Sequence, residues 1–176
     1  MLPRCSYFKE VLTALSSSDL YNELVRLPKV DDDVPSEILN NPRWFPFFDG
    51  AIGAMDGTHI RCSPSKKERD ASRNRKGELT QNTLACCSFD FRFQYIMSGW
   101  EGSAADASLF HNARLNDLPV PEGKYYLADG GFGICDALLI PFRGVRYHLA
   151  EWGRAGVRYV FILFFSNLFI KRFAWA

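Results

Sequence analysis

The segment that most constrains this chain is Ala51-Ile52-Gly53-Ala54-Met55-Asp56-Gly57-Thr58-His59-Ile60, a small and apolar run broken by one carboxylate. Ile52 and Ile60 favour an extended strand, the small residues let neighbouring backbone approach closely, and Gly57 allows a bend just beyond the acid. Asp56 is thereby placed at a sheet, where an unpaired carboxylate is costly and calls for a cation, a hydrogen-bond donor or a metal. Tyr125-Tyr126-Leu127-Ala128-Asp129-Gly130-Gly131 repeats the design, with Asp129 closing an apolar run ahead of glycine. Two acids at the ends of separate strands can meet across a sheet and hold Mg²⁺ or Mn²⁺, hard ions that take oxygen ligands. Asp-Gly is equally an ordinary hairpin-turn signal, in which the acid serves only the backbone.

A chain of 176 residues fits one domain with a sizeable core, and 47% apolar against 23% charged residues separates it from disordered sequences. The net charge of +1 gives no global attraction to nucleic acid, so any such affinity must be local. Cys5, Cys62, Cys86, Cys87 and Cys135 form no C-x-x-C pair, and the N-terminus lacks an apolar signal core; both read as reduced thiols in an intracellular protein. His59, His111 and His148 have no zinc spacing. The apolar run from Tyr159 to Ile170 is shorter than the roughly twenty residues a bilayer-spanning helix needs, so no membrane role is expected.

Taken in order, Tyr7, Phe8, Val11, Leu12, Leu15, Leu20, Leu24 and Leu27 are spaced as one or two short amphipathic helices, with Ser18 or Asp19 as N-cap and Pro28 as the stop. Lys29 to Pro46 reads as an extended, solvated lead-in. Arg61 to Lys76 sets seven basic residues against Glu68 and Asp70, an excess of five positive charges beside Asp56. Lys66, Lys67, Arg73, Arg75 and Lys76 are therefore candidate contacts to a phosphate backbone, with a plain solvated loop as the competing interpretation. Thr83–Phe89 and Phe93–Trp100 alternate as two strands joined at Asp90 to Arg92, which places Cys86 and Cys87 on opposite faces. Ser103 followed by Asp106 has capping-box spacing, so Asp106 is read first as a helix cap, with Leu109 and Phe110 as inward anchors. Pro119 to Lys124 is a turn, and Ile134 to Leu139 a short helix or strand. Strand, paired strands, helix and strand in that order predict a mixed α/β sheet.

Gly53–His59, Arg75-Lys76-Gly77, Gly99–Ser103, Lys124–Asp129 and Arg143–Leu149 also fall in the order found in PIF/Harbinger-type DDE transposases and their domesticated nuclease relatives. From about Leu12 through Arg154 the chain resembles that family's DDE endonuclease domain. The resemblance implies a ribonuclease H-like fold, a mixed sheet flanked by helices, in which two aspartates and a glutamate bind two divalent cations. Position by position, Asp56 matches the first catalytic aspartate and Asp129 the second. The implied chemistry is two-metal hydrolysis of DNA phosphodiesters followed by strand transfer. The implied setting is the nucleus, with DNA as substrate and a Myb-like accessory protein as partner.

The family's third acid lies on a helix beyond His148-Leu149-Ala150-Glu151-Trp152, and after Glu151 this chain has no Asp or Glu. The expected organisation is a helical lead-in over 1–46, a nuclease core over 47–155 and an atypical hydrophobic tail over 156–176, leaving the C-terminal part of the fold incomplete. The expected activity is an impaired metal-dependent endonuclease or transposase; the alternative is an inactive transposon-derived DNA- or protein-binding relic. A phosphatase of the Asp-x-Asp-Gly-Thr type is excluded, because Ala54 stands where its nucleophilic aspartate belongs.

Overall fold

The computed structural model describes residues 4–141. Its elements in chain order are α1 (Arg4–Leu15), α2 (Ser18–Leu24), α3 (Ser36–Leu39), β1 (Ala51–Arg61), β2 (Thr80–Cys87), β3 (Phe93–Glu101), α4 (Asp106–Asn116), β4 (Tyr125–Leu127) and β5 (Leu138–Leu139). The strands form one sheet in the order β3-β2-β1-β4-β5. Strands β1, β2 and β3 run antiparallel as a meander, while β4 lies parallel to β1 and β5 parallel to β4. This five-stranded mixed sheet, with helices against it, is consistent with the ribonuclease H-like architecture expected from the sequence.

Both faces of the sheet are covered. On one, Met55, Leu84, Cys86, Tyr95 and Tyr126 pack with Leu109, Phe110 and Ala113 of α4 and with Phe132 and Leu138. On the other, Ala51, Ala54, Cys87, Phe89 and Leu127 pack with Ile38 of α3, and Val34, Trp44 and Phe48 close the rim. Cys86 and Cys87 thus divide between the two layers, as strand alternation requires. Burial on both sides explains why β2 is buried at every position but Gln81 rather than alternating.

Three local readings need correction. The stretch from Lys29 to Pro46 is not wholly extended and solvated: it contains α3, and Ile38 is 2% exposed because the second face of the sheet needs an apolar cover. The N-cap of α2 is Ser17, whose hydroxyl accepts from the Leu20 amide, one residue ahead of the expected cap. The N-cap of α4 is Ala105 and makes no side-chain cap bond, so Ser103 and Asp106 do not form a capping box. The Asp106 carboxylate is instead engaged by β2, as described below. Strands β2 and β3 begin and end within a few residues of expectation, and their connection spans Ser88 to Arg92, where the Ser88 amide donates to the Arg92 carbonyl. The expected tail over 156–176 lies outside the described residues.

Sheet packing leaves no room at Gly53. A Cβ there would lie 2.2 Å from the Cys87 carbonyl oxygen and 2.9 Å from Oε1 of Gln94. Gly53→Ala is expected to destabilise the fold by about 1–3 kcal/mol through overpacking. Gly130→Ala, where a Cβ meets nothing within 4 Å, is expected to stay within about 0.5 kcal/mol of the parent. Urea denaturation of the two variants against the parent measures both.

Candidate metal centre

The pairing of β1 with β4 decides where the acids go. The two strands run side by side in parallel and their last paired residues are Ala54 and Leu127. Asp56 and Asp129 each lie two residues further on, so both emerge together at the end of the parallel pair. Burial changes at the same place: Ala51 to Met55 are buried, Asp56 to Thr58 are partly exposed, and His59 to Arg61 are open.

Asp56 is not in a turn. It pairs with Ala85, and Gly57 with Leu84, inside a continuous antiparallel ladder, which rules out the hairpin interpretation at this position. The Gly57 amide donates to Oδ1 of Asp56 at 2.8 Å. Asp129 does sit at a turn, where its Oδ1 accepts from the Gly131 amide at 2.7 Å. Each aspartate therefore has one oxygen fixed by a glycine N–H. Oδ2 of each makes no hydrogen bond among the described residues.

Burial pushes the Asp56 carboxyl up to about 7, and the negative charge of Asp129 pushes in the same direction. The Gly57 hydrogen bond opposes them, and Asp106 adds a smaller upward push. The site thus holds an excess of negative charge in a half-desolvated setting, a condition that a bound cation relieves. Its donor set of open carboxylate oxygens suits a hard divalent ion.

Asp106 and Asn82 are the residues that sequence reasoning missed here. Nδ2 of Asn82 donates to Oδ1 of Asp106 at 2.9 Å and to the Ala104 carbonyl at 3.1 Å. Asn82 is fully buried within β2, an unusual place for this residue type, and nothing local in the sequence marks it as the partner of Asp106. Among the described residues no group of three or more His, Cys, Asp or Glu side chains is arranged to hold a metal ion. Glu151 lies outside those residues.

The basic segment leaves the open end of β1. Lys66, Lys67, Arg73, Arg75 and Lys76 are all exposed. The segment is tethered at its base, where the Cys62 amide donates to the Leu79 carbonyl and the Thr80 amide to the Ser72 carbonyl. Arg61 pairs with Glu78 at 2.7 Å, and Arg73 donates to the Gly77 carbonyl and stands 4.0 Å from Asp70. Lys66, Lys67, Arg75 and Lys76 make no ion pair among the described residues. Cys62, Cys86, Cys87 and Cys135 are free thiols, and no described helix is long and apolar enough to cross a membrane.

A mixed sheet that brings two aspartates to the ends of adjacent parallel strands is the framework of a DDE-type nuclease. The chain belongs to the DDE superfamily endonuclease family, whose profile matches residues 55–156, just over half of its length. Endonucleases of this superfamily generally depend on divalent metal ions, and transposase-derived nucleases are typically nuclear. The chain is similar to the rat (Rattus norvegicus) protein "Putative nuclease HARBI1", at 27% identity over 95 residues. That match takes in 52% of this chain and 27% of the rat protein, so the chain spans only about a quarter of that relative's length. No solved structure matches the chain.

The raised carboxyl of Asp56 has a consequence for metal-free protein. Its folded value of about 7 exceeds the ordinary 3.8, so folding favours the neutral acid. The group costs nothing below its unfolded value, and stability is lost as pH rises from about 4 to about 7. Asp56→Asn removes the titration. In EDTA, its melting temperature is expected to exceed the parent's by an increment that grows between pH 4 and pH 7 and is flat above. The plateau corresponds to roughly 2–4 kcal/mol, given about 1.4 kcal/mol per pH unit and screening of the exposed Asp129 charge. Thermal denaturation across pH measures it.

Proposed function

We propose that this chain is a Harbinger-type nuclease domain that binds DNA beside Asp56 and Asp129 and acts on its phosphodiester bonds with a divalent cation, Mg²⁺ or Mn²⁺. The observation that carries this reading is the pair itself: two aspartates at the ends of adjacent parallel strands, repelling each other, each with one oxygen held by a glycine amide and the other open. The donor chemistry fits the metal dependence of the family.

Oδ2 of Asp56 and of Asp129 would hold the ion. When bound there, a divalent cation offsets phosphate charge and activates water for in-line displacement. The chain's own contribution is orientation and charge. The Gly57 and Gly131 amides fix the two carboxylates, and the buried Asp56 carboxyl holds its proton more tightly than an ordinary one, a proton that a bound cation would displace. Lys66, Lys67, Arg75 and Lys76 extend from the same end of β1 and supply phosphate contacts that carry no sequence information. The proposed site of action is the nucleus, with a Myb-like protein as accessory partner.

Two ligands can hold one ion with water completing its shell, but a second ion needs a further acid. Among the described residues no third His, Cys, Asp or Glu side chain joins the pair in a metal-holding group. This favours weak cation binding and slow cleavage by this chain, and it also supports the second reading, a relic that binds DNA without cutting it.

Incubation with Mn²⁺ and supercoiled plasmid separates the two readings. Slow nicking that disappears in both Asp56→Ala and Asp129→Ala is the expected outcome; DNA binding with no nicking, unchanged in those variants, selects the relic. For the basic loop, the log–log salt dependence of DNA affinity is expected to flatten by about 0.9 for each phosphate contact removed among Lys66→Ala, Lys67→Ala, Arg75→Ala and Lys76→Ala. Arg73→Ala is expected to change it least, since its guanidinium is already engaged by Gly77. An unchanged slope in the fourfold variant would make the loop a solvated surface.

A further inference from the structure

A chain of contacts links α4 to the carboxylate of Asp56 from the far side of β1. Asp106 is the first residue of α4, a helix locked into the core by Leu109, Phe110 and Ala113. The buried Asn82 amide holds Oδ1 of Asp106 at 2.9 Å. That oxygen lies directly over Gly57: a Cβ there would be 2.0 Å from Oδ1 and 2.4 Å from Cγ of Asp106. The Gly57 N–H, in turn, is the group that fixes Oδ1 of Asp56. Only glycine allows a carboxylate to seat this closely against the strand, and a strand interior pays for glycine in backbone entropy.

We propose that Asp106 is a positioning residue of the metal site. Pinned by Asn82 and seated against Gly57, it sets the peptide between Asp56 and Gly57 so that one oxygen of Asp56 stays on the amide and the other stays open to a cation. Asp106 acts through shape and one accepted hydrogen bond, not as a ligand. Asparagine at this position offers the same outline and the same acceptor to Asn82, whereas alanine offers neither. The inference rests on the proposed function of Asp56 and Asp129 as cation ligands. Supporting residues behind a metal ligand commonly change metal affinity 10- to 100-fold when removed.

The test is the Mn²⁺ dissociation constant of the purified chain, read from the electron paramagnetic resonance signal of free Mn²⁺, with folding of every variant checked by circular dichroism. Asp106→Ala is expected to weaken Mn²⁺ binding by about tenfold or more, and Asp106→Asn to stay within about twofold of the parent. Asp106→Ser and Asn82→Ala, which loosen the same contact differently, are expected to weaken it in the same direction and serve if the alanine variant at 106 does not fold. Folded Asp106→Ala or Asp106→Ser with unchanged affinity overturns the proposal, even if its melting temperature falls. Loss in Asp106→Asn equal to that in Asp106→Ala also overturns it, because the charge itself would then be required. If Asp56→Ala and Asp129→Ala bind Mn²⁺ as the parent does, or the parent binds none, the reading of the ligands fails and this inference with it. Loss in those two variants beside unchanged affinity in Asp106→Ala overturns the inference alone.

Discussion

The parallel pairing of β1 with β4 is the constraint on which the site depends. It fixes Ala54 beside Leu127, and from that one register the positions of Asp56 and Asp129 follow by counting along each strand. A slip of one residue would send one acid to the opposite face and separate the two. Tyr126 and Met55 on one side, and Ala54 and Leu127 on the other, bury the pairing from both faces and make such a slip costly. Position at the site is therefore an outcome of core packing far more than of any interaction between the acids, which repel.

Burial, with repulsion from Asp129 added to it, is what sets Asp56 apart from an ordinary carboxylate. An Asp56 carboxylate with a value of about 7 is poorly served by water and by its one glycine amide. The fold tolerates this because the rest of the sheet carries the stability. Such local strain in an otherwise consistent structure is the common mark of a functional position.

Much of this was legible in the sequence because the relevant signals are short-range. The small and apolar run around Asp56 specified a strand, the second apolar run specified its partner, and neighbouring cysteines in a strand had to part to opposite faces. Long-range partners were less legible. Asp106 carried a local explanation, capping-box spacing with Ser103, and nothing near it in sequence pointed to Asn82, twenty-four residues away on another element. The segment before β1 departs from expectation for a similar reason: its prolines and acids outweigh Val34, Ile38, Trp44 and Phe48, whose common role as a cover appears only once the second sheet face exists. At Asp129 the local turn signal and the site coexist, since the Gly131 amide holds one oxygen while the other is left open.

Cys86 and Cys87 give this sheet an internal reporter of its own motions. They are adjacent in the chain yet face different layers, and burial pushes the Cys86 thiol well up and the Cys87 thiol to about 12. Neither reacts appreciably while its layer is closed. A slow thiol-specific reagent therefore times the opening of each layer separately, at two atoms one residue apart. Cys86 belongs to a cluster of fourteen buried residues and Cys87 to one of six, so the α3 side should breathe first and Cys87 should be the earlier thiol to be trapped.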